Sequence, residues 1–140
     1  MWCALGNLVI AKALEELQVY QRAQQMWDAV TAILKAPKLQ QDLRLHSQIR
    51  DASDSVVSNI SEGFEQPTDK AFARYLFTAK ASAAEVRTRL ELARKRKYIS
   101  MEESAKATDL ATEVIKMCVG LAKYLLRSNR KNRGLGPASN

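Results

Sequence analysis

Apolar residues recur along this chain at intervals of three and four. Val19, Ala23, Met26, Val30 and Ile33 make one such stripe, the spacing that gathers side chains on one face of a helix. Tyr20, Trp27 and Leu34 form a second stripe beside it. Together they predict a first helix over residues 7–35. It stops at "APK", because Pro37 pushes Ala36 out of helical backbone. A second helix is predicted over 39–62, with Leu45, Ile49, Ala52, Val56, Asn59 and Ile60 on its inner face. A third, over 69–97, steps through Phe72, Leu76, Ala79, Ala83, Val86, Leu90 and Ala93. The fourth opens at "SMEE", where Ser100 and Glu103 have the spacing of a capping box. Ala107, Leu110, Val114, Met117 or Cys118, Leu121 and Leu125 carry its apolar face.

Long helices joined by short connections make antiparallel neighbours. The expected fold is therefore all-α, an up-down-up-down antiparallel four-helix bundle over residues 1–126. Residues 127–140, "RSNRKNRGLGPASN", read as a basic, disordered tail. Composition agrees: 140 residues suit one domain, and 5 Gly with 3 Pro leave little turn chemistry for a sheet. Gly120, inside the last helix, reads either as a close helix approach or as a tolerated cost.

The stretch "SNISEGFEQPTDKAF" interrupts the regular pattern. Gly63 reads as a left-handed helix end, which glycine adopts without strain. Glu62 opposes the dipole at that end. The start of the next helix at Thr68, or Arg127 or Arg130 from the last helix, would relieve it. Asn59 falls on the apolar face, where an amide needs a partner and can set the register of a bundle. Mirroring the chain about this turn brings Gln48 and Arg50 level with Ser82 and Glu85 and predicts an Arg50–Glu85 ion pair.

Catalytic and metal chemistry find little support. His46 is the one histidine; position 43 is Leu, so the Glu-x-x-His pattern of di-iron bundles is missing. One histidine with Cys3 and Cys118 makes no structural zinc site, and no phosphate-binding glycine loop is present. His46 itself reads as surface. The reading is a protein that is not an enzyme, with no cofactor. Two cysteines without a disulfide framework suit a reducing cytoplasm. "WCALGNLVIA" lacks the basic start of a secretion signal and reads as a helix lead-in. No apolar run approaches the ~20 residues that span a bilayer, so no membrane partner is expected.

Several segments resemble a known family. "LQVYQRA", "QIRDASDSVVSNISEGF", "FARYLFTAKASAAEVRTRLELA" and "YIS" look like the four-helix-bundle proteins encoded in intervening sequences of bacterial 23S rRNA genes. The resemblance covers residues 17–126. It rests on a Gln-Ile-Arg start at Gln48 and the Ser-Asn-Ile-x-Glu-Gly helix end. A Ser-x-x-Glu pair, Ser82 and Glu85, and a Tyr-Ile before the last helix complete it. Ala71 departs from it where the family usually has Glu, and so do Asp51 and Asp54, which lower the charge of the second helix. The resemblance implies a homopentameric ring. It also implies kinship with the Avd accessory proteins of diversity-generating retroelements, basic pentamers that bind nucleic acid and a reverse transcriptase.

Formal charge is +7 with a pI near 9.6, which attracts polyanions. "RKRK", Arg94, Lys95, Arg96 and Lys97, ends the third helix after Arg87 and Arg89. In a bundle that end adjoins Lys35 and Lys38, with Glu102 and Glu103 as partial offset. The opposite pole carries Arg127, Arg130, Lys131 and Arg133. Cations at helix ends suit the dipole, but four in a row favour phosphate contacts. Nucleic-acid binding without base readout is the expected function, since aromatics are scarce and sit on or beside packing faces; the alternatives are an Avd-like partner of a reverse transcriptase and a protein-interaction scaffold whose charge only maintains solubility. The Tyr20, Trp27 and Leu34 stripe is read as a subunit interface.

Overall fold

The computed structural model describes residues 3–5 and 8–134, with side chains over 11–127. Apart from a short two-stranded antiparallel ribbon, β1 (Cys3–Leu5) with β2 (Leu8–Ala11), the fold is helical. The first helix therefore begins later than the sequence reading placed it. Val9 and Ile10 are β-branched and favour extended backbone, and a single 3-10 turn, Leu14–Glu16, follows them. Regular helix starts only where the four-three stripe does, in α1 (Gln18–Ile33).

The expected second helix is two helices. Pro37 opens the short α2 (Pro37–Gln41) from its first turn, where a missing N–H costs nothing. Asp42, at φ −89° and ψ 82°, breaks the run. Its carboxylate then caps α3 (Leu43–Phe64) by accepting from the Leu45 amide at 3.1 Å. Thr68 caps α4 (Asp69–Lys95) by accepting from the Ala71 amide at 3.1 Å, the hydroxyl half of a capping box. Before α5 (Met101–Gly134), Ser100 and Glu103 exchange both capping bonds, at 3.0 and 3.3 Å. That helix continues past Arg127, where the sequence reading began an irregular tail. Arg and Lys are good helix formers, and cations suit a helix C-terminus. Residues 135–140 lie outside the described ones.

Four long helices enclose one core: α4 packs on α3 and α5, and α1 packs on the same pair. Met26, Val30, Ile49, Val56, Ile60, Leu76, Leu90, Val114 and Leu125 are fully buried. Each such side chain contributes about 1.5–3 kcal/mol relative to exposure. Cross-helix pairs fix the levels. Trp27 Nε1 donates to Asp54 Oδ1 at 2.7 Å between α1 and α3. Ser55 and Ser82 share a bond of 2.8 Å between α3 and α4, where Phe64 and Phe72 also meet edge to face. Arg87 donates to Thr112 at 3.3 Å, and Arg22 pairs with Glu113 at 3.1 Å, joining α5 to α4 and α1.

These levels correct three expectations. Ser82 stands opposite Ser55 rather than Gln48, and the Arg50–Glu85 pair does not form. Arg50 follows the fully buried Ile49 and turns outward, 3.4 Å from Asp51, while Glu85 pairs with Arg89 at 3.6 Å. Gly63 is not a left-handed cap either, since α3 runs through it to Phe64. Its role is proximity: a Cβ there would lie 2.7 Å from Tyr75 Cβ and 3.0 Å from Phe72 Cδ1. Gly120 shows the reverse, with nothing within 4 Å of a built Cβ, so no close approach explains it. Asn59 does lean inward. Its amide donates to the Ser55 carbonyl at 2.8 Å and to Ser55 Oγ at 3.0 Å, which links it to Ser82. Glu62 is exposed and forms no ion pair among the described residues.

Candidate nucleic-acid interface

The basic run "RKRK" ends α4 in a specific geometry. The Lys97 amide donates to the Arg94 carbonyl at 2.9 Å and the Tyr98 amide to the Ala93 carbonyl at 3.0 Å, the paired bonds of a left-handed helix stop. Glycine usually fills the left-handed position. Here it is Lys97, at φ 63°, which costs an L-residue about 1 kcal/mol.

That stop fans the four cations around the pole. Arg94 and Lys97 line an open depression together with Lys38, bordered by Tyr98, Met101 and Glu103. Lys95 points outward and shares Glu91 with Arg94, at 3.6 and 3.7 Å. Arg96 turns to the α3 side and meets Asp42 at 2.8 Å. There it lines a narrower cleft with Arg44, Gln48 and Arg89. Lys35, Lys38 and Lys97 are exposed and form no ion pair among the described residues. Arg87 is drawn away toward α5 by Thr112, so it does not join the pole. Arg127 is exposed on the helix that runs to the opposite end, and the side chains of Cys3, Arg130, Lys131 and Arg133 lie outside the described residues.

Asp42 organises this end. Besides capping α3 it accepts from Arg96 and from the Tyr98 hydroxyl at 3.0 Å. The Leu45 amide, then the Tyr98 hydroxyl and the Arg96 guanidinium, hold its carboxyl below the ordinary value. The same bond to Asp42, with burial, raises Tyr98. Neither Asp42 nor Arg44 was singled out in the sequence. Arg44 sits in a first helical turn that only the α2–α3 break creates, and the Asp42 partners lie 54 and 56 residues away. His46, read as surface, is half-buried, with Nε2 3.1 Å from the Leu34 carbonyl at the end of α1. No group of three or more His, Cys, Asp or Glu able to hold a metal occurs among the described residues. Burial pushes the Cys118 thiol up to about 12, which removes its nucleophilic form.

The second stripe of α1 is only partly exposed. Tyr20 and Leu34 pack against the core, while Trp27 remains 39% exposed over Asp54. Among the described residues no helix is long and apolar enough to cross a membrane.

A family model for 23S rRNA-intervening sequence proteins matches residues 15–120. The chain belongs to that family. The match takes in α1 to α4 and α5 as far as residue 120, and leaves the N-terminal ribbon outside. This intervening-sequence protein is also similar to a crystal structure of a protein of unknown function from the S23 ribosomal protein family of Bacteroides thetaiotaomicron VPI-5482. The TM-score is 0.70 at 23% identity, over 75% of this chain and 98% of that one. That likeness establishes the fold. No curated protein matches.

Proposed function

We propose that this protein is a non-catalytic, basic, up-down-up-down four-helix bundle that assembles as a homopentameric ring in the cytoplasm and binds nucleic acid through phosphate contacts. The antiparallel sense is supported by the cross-helix pairs. As α3 advances from Asp42 to Phe64, its α4 partners recede from Arg96 to Phe72. The ring is what the family resemblance implies, and five copies would repeat each basic pole around one axis.

The observation that carries the nucleic-acid reading is Lys97. A strained lysine stands where glycine would be more stable, beside Arg94 and Lys38 at one open depression. Strain kept against local preference points to function. Lys and Arg grouped there release counterions from a polyphosphate backbone, which makes binding steeply salt-dependent.

Lys97→Gly tests this directly. The variant is expected to gain about 1 kcal/mol in denaturant unfolding. It should also bind a mixed-sequence RNA or DNA duplex more weakly in fluorescence anisotropy, with a shallower salt slope. Lys38→Ala with Arg94→Ala should deepen the loss. Wild-type protein that binds neither duplex at low salt would end this reading.

A second reading is favoured by Leu43 and Met101, which are 75% and 60% exposed at the same pole. Apolar side chains among the cations suit a protein surface, such as the reverse transcriptase that Avd-like accessory proteins bind, or an interaction scaffold with no nucleic-acid role. Leu43→Ser and Met101→Ser would then weaken partner capture and leave nucleic-acid binding unchanged.

A further inference from the structure

The second basic cleft, on the α3–α4 seam, differs in chemistry from the open depression. Arg44 from the first turn of α3, Arg89 from α4 and Arg96 from its end line one recess of about 270 Å³. Gln48, Leu45 and Leu92 complete the lining. One carboxylate, Asp42, shares the lining and is already committed to Leu45, Arg96 and Tyr98. Its bond to Arg96 fixes that guanidinium by one nitrogen and leaves the others free to donate. Arg44 forms no ion pair among the described residues, and Arg89 has only the long 3.6 Å contact with Glu85 outside the recess. Three planar donors face one spent acceptor inside the recess, and with Glu85 against Arg89 from outside it, Arg44 and the free nitrogens of Arg96 supply the excess positive charge.

We propose that this cleft binds a single phosphate monoester dianion, held by forked guanidinium contacts from Arg44 and Arg89 with Arg96 as a fixed third donor. Guanidinium forks match phosphate oxygens two at a time. The lining holds three guanidinium groups and no aromatic side chain on which a base could stack, so the phosphoryl group is the part of a ligand that it recognises. On a nucleic acid that group is a terminal phosphate, which offers three unesterified oxygens to three guanidinium groups, whereas an internal phosphodiester offers two. The inference rests on the nucleic-acid reading only for what carries the phosphate.

The test uses the full chain at low ionic strength. Inorganic phosphate titrated into the ¹⁵N-labelled protein should shift the backbone amides around Arg44, Gln48 and Arg89. Arg44→Ala with Arg89→Ala should weaken phosphate binding by roughly tenfold or more, the loss expected when bonds to a charged group disappear. Arg44→Lys with Arg89→Lys keeps the charge and loses the forks, so it also guards against a folding defect in the first pair. It should still bind measurably more weakly than wild type. A 5′-phosphorylated oligonucleotide should bind the wild type more tightly than the same strand ending in hydroxyl, a preference that both double variants lose. Phosphate shifts that stay unchanged in the double alanine variant would overturn the site. So would oligonucleotide binding with no preference for the 5′-phosphate, while nucleic-acid binding itself stood. Phosphate bound at Arg44 and Arg89, with no strand bound at all, supports the cleft and removes the polymer reading.

Discussion

Gly63 and Gly120 have the same backbone and opposite surroundings. At Gly63 the α4 backbone comes so near that an added methyl meets Tyr75 Cβ at 2.7 Å. Neither helix can retreat without opening the Phe64–Phe72 contact. Gly63→Ala is therefore expected to cost about 1–3 kcal/mol, as overpacking does. Gly120→Ala meets nothing and should gain about 0.5–1 kcal/mol from helix propensity alone. Urea unfolding of both variants gives the comparison, and equal effects would remove the close-approach account of Gly63. The sequence showed that Gly63 was special and misassigned the cause, because a left-handed stop and a tight crossing both select glycine. Lys97 is the converse: the true left-handed position carries no residue type that would announce it.

Among the elements, most local devices were legible and distant ones were not. The Ser100–Glu103 box lies within four residues and formed as read. The α2–α3 break was missed although Asp42 is a favoured N-cap residue, because no glycine or proline marks it and the Arg96 and Tyr98 bonds that hold it come from the distant end of α4. That junction gives a pH dependence. Asp42 has a folded pKa below its ordinary 3.8, so it stabilises the fold fully above that value. The contribution disappears as pH falls through the lower folded value. Wild type should thus be more stable than Asp42→Asn at neutral pH, and the gap should close only in acid below 3.8. Thermal melts of the two proteins from pH 7 down to about 2 would show this. A gap independent of pH would mean that Asp42 acts without its charge.

At the scale of the whole molecule, the exposed apolar surface bears on the proposed ring. Tyr20 and Leu34 are spent on the core, which leaves Trp27 as the exposed member of that stripe. Trp27→Asp is expected to give monomers by light scattering. Trp27→Lys, which can pair with Asp54, should do the same without placing two carboxylates side by side. Folded variants that remain oligomeric would take Trp27 out of the interface. The two basic clefts sit on either side of the α4 end, so a ring would present both at one rim.

The four long helical segments, their inner faces, the all-α class and the family were legible in spacing and short motifs, because a 3.6-residue period and a capping pair depend only on near neighbours; the N-terminal ribbon and the break at Asp42 were not. The level at which α3 meets α4 was decided by tertiary contact. A shift of one turn there exchanges every partner while leaving each helix amphipathic. The Arg50–Glu85 pair failed because Arg50, next to the buried Ile49, faces outward; the level itself set Ser82 opposite Ser55 and built the Ser55–Ser82–Asn59 link. For the same reason Arg44, Arg89 and Arg96, distant along the chain, share one cleft.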